Sequence, residues 1–174
     1  QNQGRVFTFG QGLEEISQAG LKWWFILYMP YQLTDDFPNY PWQDNPVAGI
    51  GCQSTYDSSS NILYFSKKDY KLKEIYKGRV NYIELNPDGT GDNFILDNNQ
   101  NSKFLLGDPF LFEDASWTIS YDPKNKMWVS FHDWKPSLSI PGKAHFMTVD
   151  LDSIWKHNVR CDKYCNFYGV DYPW

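Results

Sequence analysis

Alanine is almost missing from the chain. Four alanines stand among 174 residues, so the strongest helix former contributes little and long helices are not expected. Cysteine is scarce too: Cys52, Cys161 and Cys165 are the three present, an odd count that cannot close into a complete disulfide framework. The longest apolar run, Trp23 to Met29, is seven residues, against roughly 20 for a membrane-crossing helix, and no signal-peptide pattern is present. Sixteen basic residues face 21 acidic ones with no basic stripe to track a nucleic-acid backbone. Gly10-Gln-Gly12 lacks the third glycine and the preceding βαβ context of a phosphate-binding turn. No G-x-S-x-G nucleophile setting occurs. These absences argue against nucleic-acid partners, membrane-spanning helices, phosphate-loop chemistry and serine hydrolysis.

Aromatic residues fill the space that alanine leaves. Twelve Phe, 12 Tyr and 8 Trp outnumber the 30 Leu, Ile and Val, a balance that favours strands over helices. Leu, Ile, Val and Phe together make 42 of the 174 residues, enough to build a core. The chain opens on Gln1 and closes on Tyr172-Pro173-Trp174, which reads as a segment of a longer polypeptide.

Residues 1–46 form an irregular N-terminal segment. Leu13, Ile16 and Ala19 lie at helical spacing within Gln11–Leu21 and predict a short helix bounded by Gly12 and Gly20. LKWWFILYM predicts a buried strand, and Thr34–Pro46, with three prolines, a stiff loop. Residues 47–174 read as an antiparallel hairpin domain. GIGCQSTYD and NILYFSKKDY flank Ser58-Ser59-Ser60; GRVNYIEL and NFILD flank the Asn86–Asp92 turn; KFLL and PFLFED flank Gly107-Asp108. In the last hairpin Trp117, Ile119 and Tyr121 alternate with polar residues, as do Met127, Val129 and Phe131 across Pro123–Lys126, predicting two inward-facing apolar arms. HFMTV predicts a further strand, and Asp150 caps a helical turn carrying Leu151, Ile154 and Trp155. The expected fold is mainly β, with antiparallel hairpins and one or two short helices. Thr55-Tyr56-Asp57…Asp69-Tyr70-Lys71 recurs as Ser120-Tyr121-Asp122…Asp133-Trp134-Lys135, 64 to 65 residues on, and this weak repeat favours a partial β-propeller.

Candidate chemistry is sparse. His157, Cys161 and Cys165, with Asp162 or His145, could face a zinc ion from one helix side, but a buried, apolar role for the cysteines explains the pattern better. Asn86, Asp88, Thr90, Gly91, Asp92 and Asp97 match the spacing of a calcium loop, yet lack its bidentate Glu and flanking helices, so a hairpin turn is preferred. Glu14-Glu15, Asp35-Asp36 and Glu113-Asp114 are adjacent in sequence and therefore diverge, unlike an acid/base pair across a glycosidic bond. His132, beside Asp133, could orient a water, but a packing role is favoured. No catalytic residue, metal or other cofactor is expected.

The stretch FEDASWTISYDPKNKMWVSFHDWKPS (Phe112–Ser137), HFMTVDLDSIWKHN (His145–Asn158), YCNFYGVDYPW (Tyr164–Trp174) and GIGCQSTYDSSSNILYFSKKDYKLK (Gly49–Lys73) resemble a recurring segment in large virion structural proteins of crAss-like bacteriophages. The most specific part carries Trp117, Tyr121, Pro123, Trp128, Phe131, His132 and Trp134, a packing motif rather than a catalytic one. The resemblance implies a non-enzymatic role in a tail nozzle- or muzzle-like, portal-proximal assembly with β-propeller domains. The expected partners are other copies of the chain or neighbouring virion proteins, and the expected location is the virion. Trp128, His132 and Trp134 would then meet the next blade or subunit. A module that binds cell-surface glycan through exposed Trp and Tyr is the alternative.

Overall fold

Turn chemistry sets the frame. In Asp122–Lys126 the Asp122 carboxylate accepts the backbone N–H groups of Lys124 (2.8 Å) and Asn125 (3.1 Å), an Asx turn that reverses the chain. At Asp57–Asn61 the Asp57 carboxylate accepts from the Ser59 N–H at 2.9 Å, and Asn61 takes the left-handed φ of 61° that Asn tolerates. The structure, a computed structural model, describes residues 4–9, 12–38, 40, 44–47, 49–84, 93–97, 103–150, 153–157, 159 and 166–171. It is mainly β, built of antiparallel sheets with two short helices.

Strand β1 (Phe7–Phe9) pairs with β2 (Leu13–Glu15). Helices α1 (Lys22–Tyr28) and α2 (Gln32–Asp36) follow. Next come β3 (Gly51–Asp57), β4 (Ile62–Lys68), β5 (Tyr70–Leu72), a 3-10 turn at Glu74–Tyr76, β6 (Val80–Glu84), β7 (Asn93–Asp97) and β8 (Lys103–Leu105). The remaining strands are β9 (Phe112–Asp114), β10 (Trp117–Asp122), β11 (Met127–His132), β12 (Leu138–Ile140), β13 (Met147–Asp150), β14 (Ser153–Lys156), β15 (Asn166–Phe167) and β16 (Val170–Asp171). The central sheet runs β11-β10-β4-β3, so the two repeat-related hairpins join into one four-stranded meander instead of standing in separate sheets. The excursion from β5 to β9 is inserted between its inner strands.

Several expectations are corrected. Gln11–Leu21 contains strand β2 and a turn; Leu13 is two-thirds exposed and Ile16 alone of the three spaced residues is buried. LKWWFILYM is helix α1, not a strand. A run apolar at every position but Lys22 carries no visible period, yet Leu21, Trp24, Phe25 and Met29 fall at i, i+3, i+4 and i+8 and all pack into one core. That core holds α1 in place, since its N-cap residue, Leu21, offers no side-chain bond. Thr34–Asp36 is helical, so the stiff loop begins later than expected. KFLL and PFLFED do not pair with each other: β8 pairs β7, and β9 pairs the distant β5. The helical turn after Asp150 is instead β14, hairpinned onto β13.

The largest correction concerns Met127 and Val129. The β10–β11 register shifts at Ser120/Tyr121, pairing Ser120 with Ser130 but Tyr121 with Trp128. One extra residue in β11, Val129, flips the alternation. Trp128 thereby joins Phe131 on the α1 side, and Met127 moves to the other face. Met127, Val129 and Phe131 are each more than half exposed, so β11 is an edge strand and not an inward arm. The Asn86–Asp92 turn lies outside the described residues.

Two cores straddle position 47. One joins Leu33, Phe37 and Tyr40 to Ile50, Leu72, Leu111 and Phe112. The other joins Val6, Ile16 and Phe25 to Ile119 and Tyr121 beneath α1. Gly4 anchors the second: its φ is +62°, and a β-carbon there would run into the Phe25 backbone. Gly4→Ala is accordingly expected to lower stability by about 2–3 kcal/mol, measured by urea unfolding; a change near zero would show that this segment does not pack on α1.

Candidate functional site

The central sheet separates two chemically different faces, and the resemblance motif is divided between them. On the face beneath α1, Trp117 donates its indole N–H to Tyr28 O at 3.1 Å and lies 4.9 Å from the Trp24 ring. Trp128 donates to Ile16 O at 3.1 Å and packs on Phe25, Phe65 and Tyr121. Tyr121 is buried, and Phe131 meets the Trp24 ring at 5.0 Å. Pro123 stands half-buried in the β10–β11 turn. Trp128 therefore serves an intrachain contact, where it was expected to meet a neighbouring blade.

The opposite face is polar and buried. Strand alternation brings Thr55, Ser66, Thr118 and Ser120 to this side, and all four are buried. Ser66 and Thr118 hydroxyls bond at 3.0 Å, and His132 Nε2 lies 2.9 Å from Ser120 Oγ. Over this layer sits an aromatic stack. Tyr64 contacts His132, Trp134 and Phe146, each at 5.3 Å between ring centroids. His157 lies 4.4 Å from Phe146, with ring planes 9° apart, and 5.7 Å from Trp134. Thr148 Oγ1 bridges His157 Nε2 at 2.7 Å and Tyr168 OH at 2.9 Å. The stack docks the β12-β13-β14 sheet onto the central one. His132 and Trp134 are thus consumed within the chain as well.

Burial governs the titration of this stack. It pushes His157 down to about 4, with Asp57 pulling the other way. His132 is lowered by burial too, against the pull of Asp133. Both rings are neutral at pH 7, which suits packing better than proton transfer.

The acidic candidates do not converge on a common cleft. Glu14 pairs with Lys126 at 2.8 Å. Glu15 accepts from Ser17 and Gln18. Asp36 accepts the Leu72 N–H at 2.9 Å and stands 3.6 Å from Lys77. Asp35 is exposed on α2, and Glu113 is exposed on β9. Asp114 accepts from Ser116 N–H and Lys135. Among the described residues, no group of three His, Cys, Asp or Glu could hold a metal. Cys161, Asp162 and Cys165 lie outside the described residues, and His157 is occupied with Thr148.

A buried ion pair escaped the sequence reading. Lys67 Nζ lies 2.6 Å from Asp69 Oδ2, with both side chains essentially solvent-free. Lys67 also donates to Tyr28 O (2.9 Å) and Pro30 O (2.7 Å). Asp69 accepts the backbone N–H groups of Gln32 (2.8 Å), Leu33 (3.3 Å) and Tyr70 (2.9 Å). The pair fastens the α1–α2 junction to β4. Its signal was alternation: Leu63, Phe65 and Lys67 share one face of β4, the face that carries the core.

The chain matches no family model, no curated protein and no solved structure.

Proposed function

We propose that the chain is a structural component of a phage virion, part of a tail or portal-proximal assembly, and that it works through subunit packing and not through catalysis. The observation that supports this reading best is the edge of the central sheet at β11, where no further strand pairs among the described residues. Strand β11, MWVSFH, carries no Asp, Glu, Lys or Arg and no proline; of the devices that keep a sheet edge from pairing with another chain it has the bulge at Val129 but none of the charged or proline ones. Met127, Val129 and Phe131 are 53%, 56% and 53% exposed. Trp24 links Phe131 to the outer flank of α1, where Trp23 and Leu27 are 75% and 64% exposed. Exposed apolar side chains on an edge strand and on the flank of the helix beside it mark an association site. The partners are other copies of the chain or neighbouring virion proteins.

The antiparallel meander β3-β4-β10-β11 has the form of a propeller blade, which fits the propeller implied by the resemblance. Sedimentation of the chain over a range of concentrations tests the association. The expected result is assembly that Val129→Lys abolishes, with monomer stability changed by no more than about 0.5 kcal/mol. A chain that stays monomeric at all concentrations would count against subunit packing at this edge. Glycan-array binding lost on replacing Trp23 would favour the alternative, a glycan-binding module.

A further inference from the structure

The bulge in β11 restricts what can pair with its outer side. Val129 is one residue more than β10 calls for, since Ser120 pairs with Ser130 and Tyr121 with Trp128. A regular strand laid along the outer side meets the same mismatch. Pairs in step on one side of Val129 fall out of step on the other, which is how a bulge keeps an edge from recruiting strands. One strand escapes the mismatch, and it is β11 itself. Run antiparallel about a two-fold axis normal to the sheet, a second β11 brings its own extra residue to the same place.

The faces of the two strands then agree along their length. Trp128 and Phe131 lie on the α1 side, while His132 turns to the other side with Ser120 and Met127 pairs there with Asp122. Setting Trp128 opposite Phe131 of the other copy, and Met127 opposite His132, joins like face to like face, as antiparallel neighbours require. Val129 and Ser130 meet Ser130 and Val129 at the axis, bulge against bulge. In a strand without the extra residue, positions three or five apart would lie on opposite faces and this register would be forbidden.

Charge fits the same register. Lys126 and Asp133 bracket the uncharged strand and both are exposed, and the two-fold sets each against the other at the two ends. Lys126 pairs with Glu14 at 2.8 Å yet stays 65% exposed, so the end contacts select the register and add little affinity. The far edge of the sheet is closed by the chain's own segments. On β3, Cys52 N–H donates to Asp44 at 2.6 Å, Gln53 Nε2 reaches Pro136 O, and Asp57 bridges Gly142. A head-to-tail β11-to-β3 contact, which would grow an open filament, is thereby blocked.

We propose that β11 pairs with β11 of a second copy in a closed two-fold dimer, joining the two four-stranded central sheets into one with Trp128 opposite Phe131. This rests on the assembly reading above and gives it a partner and a geometry.

Sedimentation of the full chain over a range of concentrations is expected to end at a dimer. Lys126→Glu and Asp133→Lys should each weaken that dimer roughly tenfold, because two exposed contacts turn from attraction to repulsion. An equimolar mixture of the two variants should regain the parent's affinity, since every end contact then joins opposite charges. A mere loss of monomer stability would not be cured by mixing, and circular dichroism checks that both variants fold. Growth past the dimer, single variants that dimerise like the parent, or a mixture as weak as its components would each overturn the proposal. Association abolished by Val129→Lys but untouched by the changes at 126 and 133 would overturn this register and leave the assembly reading standing. A chain that stays monomeric would overturn both.

Discussion

Asp69→Ala is expected to cost about 3–5 kcal/mol of stability, the loss typical of removing one member of a buried ion pair. The deletion leaves the Lys67 ammonium without its counter-ion in a site closed to water. The carbonyls of Tyr28 and Pro30 and the Tyr31 ring would still face it, but no anion. It also orphans the N–H groups of Gln32 and Leu33 at the start of α2, where Tyr31 provides no side-chain cap of its own. Asp69→Asn should cost less, because the amide oxygen keeps an acceptor in place.

The double variant Lys67→Met/Asp69→Ala separates charge from packing. Methionine has nearly the length of lysine without its charge, so the double variant should recover part of the loss, on the order of 1–3 kcal/mol relative to Asp69→Ala alone. Urea unfolding gives both numbers. Near-ultraviolet circular dichroism adds a local readout, because the pair holds the segment whose Tyr28 carbonyl receives the Trp117 indole. A single variant within about 1 kcal/mol of the parent would show that the pair is solvated, and that the α1–α2 junction is held by its apolar contacts alone.

The pair also shows where a sequence can be read and where it cannot. The hairpins β3–β4 and β10–β11 were legible because their turns are chemically explicit: Asp57 and Asp122 each bond the backbone of their own turn. Alternation then placed Ile119 and Tyr121 in the core correctly. It failed across the turn because a single extra residue, Val129, reverses parity, and no composition rule announces a bulge. The partnership of β5 with β9 was hidden for another reason: their residues lie about 40 positions apart, and neither is more apolar than a loop. Helix α1 was invisible because every position of its run but Lys22 is apolar, leaving length and packing to decide. The motif from Trp117 to Trp134 was legible as a packing pattern. Its division between two faces became visible only with the register.

His157 supplies the second large effect, as a dependence of stability on pH. Its ring stacks on Phe146, meets Trp134 beside it and is bonded to Thr148. Burial holds its folded pKa at about 4, whereas an unfolded chain returns it to about 6.5. Between these values the unfolded state binds the proton and the folded state does not, so stability rises with pH there. The contribution is fully present above about 6.5 and is lost as pH falls towards 4, by at most about 3 kcal/mol. His132, lowered by burial against Asp133, adds loss in the same direction. Carboxylates titrate in the lower half of this window as well, so the informative quantity is the difference between the parent and His157→Phe. Phenylalanine keeps the stack with Phe146 and Trp134 but cannot take a proton. At pH 7.5 it should be less stable than the parent by about 1 kcal/mol, for the lost bond to Thr148. By pH 4 the order should reverse, since the variant escapes the linkage. Parallel stability curves for the two proteins across this range would mean that His157 protonates equally in both states, and that the β12-β13-β14 sheet does not exclude water from its ring.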